Sequence, residues 1–292
     1  MFKGQKNTLV GVLPPYEYEL ILAYLLNKSR EYVLTHPEVK LSPSQRKKLN
    51  SLINRRKNGE PLAYILGRKE FYGLDFIVDK NVLVPRPETE LMVDEALTTV
   101  YDAHSTHSKN QLKLIDIGTG SGCIIITLAK LLKEKKLHSK IKFIASDISK
   151  AAIKIAKNNA RLNGVSKNIR FTVGHLLEPI FKNKLLIDDC KLIIVSNLPY
   201  LTPRQVKASP SIKDEPKLAL EAGTDGLKYY RQLFGQINIL KNASITIFCE
   251  IDPSQKLTIR RLAKKTLSEA RIEIKKDLRG HSRLAVIKIN RS

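Results

Sequence analysis

Tryptophan is absent from this 292-residue chain, methionine occurs twice, and aromatic residues amount to only 6%. A core must therefore be built from aliphatic side chains, and a hydrophobic content of 42% is ample for one. Cysteine is scarce. Cys123, Cys190 and Cys249 are scattered without metal-type spacing, which argues against a disulfide scaffold or a zinc module and for reduced thiols in a cytosolic protein. With 14 glycines and 13 prolines, the composition is neither collagen-like nor low-complexity. The most apolar stretch, Cys123 to Leu132, is interrupted by Lys130 and falls short of a membrane span. No signal-peptide core followed by a small-residue cleavage site opens the chain, so a soluble, cytoplasmic protein without membrane contact is expected. Acids are few as well, 28 against 51 basic residues, for a net charge of +23. The excess is spread evenly, +6 over residues 1–80 and +17 over the rest, as a lysine-rich solvated surface would be. Nucleic acid or ribosome contact is a secondary reading of that charge.

What is present is a change of texture. After Pro14-Pro15, a helical stripe of Leu20, Ile21, Tyr24, Leu25 and Tyr32 runs until His36-Pro37. Ser42-Pro43 reads as a helix start, Leu49, Leu52 and Ile53 as its buried side, and Asn58-Gly59 as its end. A β-hairpin is expected next, with strands Phe71 to Val78 and Val82 to Val84 around Asp79-Lys80-Asn81. A helix follows from Glu88 to Tyr101, then a loop from Asp102 to Asn110. Strand-like runs at 112–117, 141–146, 169–173, 192–196 and 245–250 alternate with helical segments, the pattern of a parallel sheet covered on both faces. Runs at 271–276 and 284–289, joined by a polar turn, predict an antiparallel C-terminal hairpin. The expected division is a helical domain with the start of the hairpin over residues 1–80 and an α/β domain over 81–292.

Two segments carry chemistry. Asp116-Ile117-Gly118-Thr119-Gly120-Ser121-Gly122 lies between a strand and a helix, where glycines admit close approach of a ligand and the helix start offers free N–H groups. Position 123 is cysteine, so the dinucleotide fingerprint is incomplete, and no Walker lysine is present. The spacing instead resembles the S-adenosylmethionine loop of Rossmann-like methyltransferases. Asp147, ending the next strand, can accept both ribose hydroxyls, although an acid there also suits a helix N-cap. The second segment, Asn197-Leu198-Pro199-Tyr200, ends the fourth strand of the sheet, on the edge where ligands sit in doubly wound folds. Its Asn-x-Pro-Tyr pattern resembles the site of methyltransferases acting on amide or exocyclic amine nitrogens; an ordinary Asx turn before proline is the alternative. An Asn side-chain oxygen and a backbone carbonyl can hold a planar N–H₂ group facing a methyl donor.

The runs Gly59 to Gly67, Glu70 to Leu74, Val82 to Glu90, Glu215 to Leu220 and Asp225 to Leu227, joined to these two segments, resemble the HemK/PrmC family of N5-glutamine methyltransferases. The resemblance implies a Rossmann-like class I methyltransferase: a mostly parallel seven-stranded sheet with an antiparallel C-terminal hairpin, plus a small N-terminal helical domain and a linking hairpin. It implies methyl transfer from S-adenosylmethionine to the glutamine of the Gly-Gly-Gln motif of class I peptide chain release factors. Asp116, Gly118, Thr119, Gly120, Ser121, Gly122, Asp147, Leu176 and Asn197 would hold the cofactor. Asn197, Pro199 and Tyr200 would carry the catalytic step. Substrate would meet Asn197, Leu198, Pro199, Tyr200, Arg86 and Glu88, with Glu90 bracing. No metal is implied. Three places depart from the family: Leu198 where proline is usual, Gly174-His175-Leu176 beside the adenine, and Glu250-Ile251-Asp252 where glycine is common after Glu-Ile. A ribosomal-protein glutamine, adenine N6 in nucleic acid, or a non-enzymatic basic RNA- or ribosome-binding protein are the competing readings.

Overall fold

The computed structural model describes residues 13–105, 112–185, 191–240, 244–267 and 269–290. They divide into two compact units. One holds the described residues up to Arg68 together with Ser209–Asp214, and the other Lys69–Ala208 with the chain from Glu215 onward.

The smaller unit is helical: α1 (Pro15–Leu26), α2 (Arg30–Thr35), α3 (Pro43–Lys57) and α4 (Leu62–Leu66). The stripe expected to run unbroken to His36 is divided. Asn27 turns left-handed (φ 52°) to end α1, and the Ser29 side chain accepts the Tyr32 N–H to begin α2. Ser42 caps α3 as the sequence suggests, in a reciprocal capping box with Gln45. Ile21, Leu22, Leu41, Leu49, Leu52, Ile53 and Ile65 form the buried cluster of this unit. Ion pairs of 2.7 Å (Arg56–Glu17) and 2.8 Å (Arg30–Glu19) are partly open to solvent.

The linking hairpin comes earlier than expected, as β1 (Arg68–Phe71) and β2 (Leu74–Ile77). Tyr72 and Gly73 both take positive φ, 52° and 72°, which is what a two-residue hairpin turn matched to strand twist requires. Residues 82–86 form no strand. Pro85 and Pro87 cannot donate to a ladder, and Asp79 instead caps a turn by accepting the Asn81 N–H at 2.8 Å. Phe71 and Phe76 point into the core of the larger unit. After a 3₁₀ turn at Pro87–Thr89, α5 (Glu90–Ser105) runs four residues further than expected, with Met92, Ala96 and Val100 buried. The remainder of the expected loop lies outside the described residues, as does Cys190.

The seven-stranded sheet has the order β5-β4-β3-β6-β7-β9-β8, from β3 (Leu112–Ile117), β4 (Ile141–Asp147), β5 (Ile169–Val173), β6 (Lys191–Ser196), β7 (Ser244–Glu250), β8 (Arg271–Lys276) and β9 (Ser282–Asn290). The first five positions in that order are parallel, while β9 and β8 form the antiparallel hairpin. Successive strand residues enter opposite cores: Leu114, Ile193 and Val195 join one cluster, Ile115, Ile117 and Ile194 the other. That burial on both faces is why these strands read as continuous apolar runs rather than alternating ones. Among the covering helices are α6 (Cys123–Glu134), α7 (Lys150–Leu162), α10 (Lys228–Asn238) and α11 (Lys256–Thr266); α8 (Glu178–Lys182) and α9 (Pro203–Lys207) are single turns. Beginning at β3, the chain builds outward through β4 and β5, then returns to place β6 on the other side of β3. The carboxyl ends of β3 and β6 therefore flank the topological switch point. Among the described residues no helix is long and apolar enough to cross a membrane.

Candidate active site

A cavity of about 260 Å³ opens at that switch point. Its walls come from the loop after β3 (Gly118 to Ser121), the end of β4 (Asp147 to Ser149), the segment after β5 (Gly174 to Leu176) and the segment after β6 (Asn197 to Pro199). Residues 80–83 and Pro85, Arg86 and Thr89 complete it, with Leu218 and Tyr229 contributed from later in the chain. Among the described residues, no group of three or more His, Cys, Asp or Glu side chains could hold a metal ion.

The glycine loop is shaped by close packing as well as by turn geometry. Gly118 (φ +73°) lies against Leu198, whose Cδ2 would be 2.9 Å from an added Cβ. Gly120 has nothing within 4 Å of that position, so its missing side chain leaves room on the cavity side. Asn159 of α7 anchors the loop: its Nδ2 donates to the Ser121 and Ile77 carbonyls at 2.8 and 2.9 Å, and its Oδ1 accepts the Ile77 N–H at 2.7 Å. This one buried polar side chain ties the hairpin to the glycine loop. Its signal in the sequence was an asparagine among the buried residues of α7, Ile155, Ala156 and Ala160.

Two acids sit beneath the loop. Asp116 is fully buried; its Oδ2 accepts the Thr119 hydroxyl at 2.7 Å, while its Oδ1 has no hydrogen-bond partner. Burial raises its pKa to about 7, against the lowering effect of Thr119 and with some help from the nearby Asp147 charge. Asp147 faces the cavity. Its Oδ2 accepts the Gly120 N–H at 2.9 Å and its Oδ1 the Ser149 N–H at 2.8 Å. Burial raises its pKa, opposed by those backbone donors. Two oxygens fixed in this way retain lone pairs for vicinal hydroxyls, and the neighbouring Ile148, Leu176 and Ile124 offer apolar contact for a flat ring. The helix N-cap role is taken by Ser149, whose side chain accepts the Ala152 N–H at 3.1 Å. Leu176 itself holds a left-handed conformation (φ 50°), which a side chain with a Cβ adopts only at a cost of about 1–2 kcal/mol. His175 is half-buried, 3.2 Å from the Gln232 Oε1.

The Asn197 segment is backed by a buried polar cluster. Asn197 Nδ2 donates to Thr89 Oγ1 at 3.1 Å, Thr89 donates to Glu250 Oε2 at 2.6 Å, and the Tyr200 hydroxyl donates to Glu250 Oε1 at 3.0 Å. Glu250 is only 2% exposed, and burial raises its pKa despite those two donors and the nearby Arg283. The Tyr200 hydroxyl is pushed well above its ordinary pKa, chiefly by burial. The Tyr200 hydroxyl is thus directed to Glu250, and the residues that line the cavity do not include Tyr200, Asp116, Gly122 or Glu88. Arg86 does line the wall, where it pairs with the buried Glu215, and Glu215 Oε2 also accepts the Val84 N–H at 3.1 Å. Glu90 braces the hairpin by accepting the Tyr72 N–H at 2.8 Å. Reading by residue type passed over Thr89, Glu215 and Glu250 as site partners. Each lay inside a quoted motif, but nothing in the spacing showed that segments more than 100 residues apart would meet.

Two departures from the family acquire a physical account. Asp252 has φ −68° and caps a 3₁₀ turn through Ser254, so glycine is not required there. Leu198 is buried and fills the space over Gly118, packing in the core that a proline would leave less filled. Cys123 lines the cavity, yet burial pushes its thiol up to about 12, which argues against a nucleophilic role. Cys249 is buried and similarly raised to about 12.

Residues 13–67 match the PrmC N-terminal domain family and residues 108–280 the methyltransferase domain family. The chain is 35% identical to a release factor glutamine methyltransferase of Dictyoglomus turgidum, over 94% of this chain and 90% of that protein. It is 34% identical to the Bacillus subtilis protein of the same name, over 91% and 88%. A bifunctional methyltransferase of Rickettsia prowazekii is 33% identical over 99% of this chain, which spans 57% of that longer protein. Among solved structures, the catalytic domain of human METTL16 in complex with MAT2A 3′UTR hairpin 1 superposes with a TM-score of 0.58 over 94% of this chain and 91% of that one. At 14% identity, that likeness concerns the fold alone.

Proposed function

As the chain belongs to the release factor glutamine methyltransferase family, we propose that it methylates the side-chain amide nitrogen of a glutamine in a class I peptide chain release factor, the one in its Gly-Gly-Gln motif. The observation that carries this reading is the meeting of Asn197, Leu198 and Pro199 with the glycine loop and Asp147 in one cavity. S-adenosylmethionine, when bound, supplies an electrophilic sulfonium methyl. Gly118 to Ser121 would hold it, with Asp116 and Gly122 shaping the loop, Asp147 would accept the ribose hydroxyls, and Leu176 and Ile148 would give the adenine apolar contact.

The chain's own task is orientation. An amide nitrogen is a weak nucleophile because its lone pair is delocalised. Asn197 Oδ1 and the Leu198 carbonyl accept its two N–H bonds and hold it in line with the methyl, and both acceptors stabilise the positive charge that develops. The bound donor would give up its methyl to this nitrogen, with the electron pair of the broken S–C bond staying on sulfur. The methylated nitrogen is strongly acidic and loses one proton to water, so no general base is needed. Pro199 stiffens the segment, Arg86 lines the substrate side, and Tyr200 and Glu88 frame the glutamine beyond the cavity lining. The helical unit, which ends at Arg68 rather than at residue 80, recognises the release factor, and the larger unit performs transfer, in the cytoplasm.

The test is mass spectrometry of a purified release factor incubated with the protein and S-adenosylmethionine. One added methyl on the Gly-Gly-Gln glutamine is expected, with Asn197→Ala reducing the rate by about 10²-fold or more. Cofactor binding without any methyl on the factor would overturn the substrate assignment.

A further inference from the structure

We infer that Thr89 and Glu250 are positioning residues that set which way round the Asn197 amide is held. The inference rests on the functional reading above and deepens it. An asparagine side chain is nearly symmetric in shape but not in chemistry: one end donates two hydrogens, the other accepts. If the amide turned over, it would present N–H₂ to the N–H₂ of a glutamine, a repulsive pairing that cannot hold the nucleophile. Packing alone distinguishes the two ends poorly. A hydrogen-bond relay does so decisively.

The relay runs through three elements of the larger unit. Glu250, at the end of β7, is an acceptor at both oxygens, taking the Thr89 hydroxyl at 2.6 Å and the Tyr200 hydroxyl at 3.0 Å. Thr89 has a single hydroxyl hydrogen, and the 2.6 Å contact uses it on Glu250. Its oxygen can then only accept from Asn197, and at 3.1 Å it accepts from Nδ2. Oδ1 is thereby left as the end available to the cavity, which Asn197 lines. Thr89 and Glu250 are both 2% exposed, so water does not readily replace either partner. Tyr230 fixes the frame, its hydroxyl within reach of the carbonyls of Ser196 and Glu250, at 3.2 and 2.5 Å. Neither Thr89 nor Glu250 needs to touch the reacting atoms for this role.

The test uses Thr89→Val, which keeps the side-chain shape and removes the relay, and Thr89→Ser, which restores the hydroxyl. For each, kcat and KM for the release factor, S-adenosylmethionine affinity by calorimetry and melting temperature are measured. The expected result for Thr89→Val is a fall in kcat of about 10- to 100-fold. KM and cofactor affinity should stay within about threefold, and Thr89→Ser should recover most of the rate. A loss of kcat below about threefold in Thr89→Val would overturn the inference, as would failure of Thr89→Ser to recover. A rate loss matched by lost cofactor affinity and a lowered melting temperature would make Thr89 merely structural and also overturn it. Absence of release-factor methylation by the unmodified protein would instead overturn the functional reading, and this inference with it.

Discussion

The two units differ in where they place carboxylates. In the helical unit, Glu17, Glu19 and Glu60 pair with Arg56, Arg30 and Arg55 on partly solvated surfaces. In the larger unit, Asp116, Glu215 and Glu250 are each no more than 4% exposed and gather around the carboxyl ends of the strands. Only Glu215 among those three has an ion-pair partner there; Asp116 and Glu250 are satisfied by hydroxyls, and Asp116 only in part. Solvated pairs contribute little to stability, whereas buried acids are costly and persist where geometry must be held. The larger unit has solvated pairs of its own, Lys130–Glu134 and Arg231–Asp225 among them, but among the described residues it alone also buries acids, and it buries them around a site.

Glu215→Ala should give the largest stability effect that this contrast predicts. It strands Arg86 and leaves the Val84 N–H without its acceptor, for a loss of about 3 kcal/mol. Urea denaturation checks it, and a loss under about 1 kcal/mol would erase the distinction.

Asp116→Asn comes next and carries a sign. The folded carboxyl has its pKa raised from 3.8 to about 7, so the folded state holds its proton more tightly than the unfolded chain. Well below 3.8 both states are protonated and the variant resembles the parent. As pH rises toward 7 the parent loses stability relative to Asn, and the gap then levels off. Melting curves of both proteins from pH 4 to 8, without cofactor, should therefore diverge in the variant's favour, by a few kcal/mol in order of magnitude. Divergence in the other direction would show that Asp116 is stabilised as an anion.

Arg56→Ala in the helical unit should be the mildest, at about 1 kcal/mol or less despite its two contacts with Glu17, at 2.7 and 2.8 Å. A cost equal to that of Glu215→Ala would break the contrast between the units, and added salt should change the Arg56 effect more than the Glu215 effect.

Much of this was legible in the chain because local chemistry dictated it. The helix start at Ser42-Pro43, the strand runs from 112 to 250 and the antiparallel close depend on neighbours in sequence. So does the glycine loop, whose left-handed turns few other residues tolerate. Where local signals competed, reading failed: Tyr72-Gly73 won the hairpin turn from Asp79 to Asn81, because only the former offered two adjacent residues in the left-handed region.

The amino-acid sequence by itself determined the family, the alternation of strands and helices along the chain from residue 112 onward, and the cavity-wall residues from Gly118 to Ser121, Asp147 and Asn197 to Pro199. Periodicity and turn chemistry are local, and motifs are read along the chain. Tertiary structure alone decided that Asn159 would tie the hairpin to the glycine loop and that the Tyr200 hydroxyl would bond Glu250. It alone brought Thr89 between Glu250 and Asn197, partners 161 and 108 residues away. Hydrogen bonds of that reach depend on how strands are ordered in the sheet, and spacing along a chain does not encode that order.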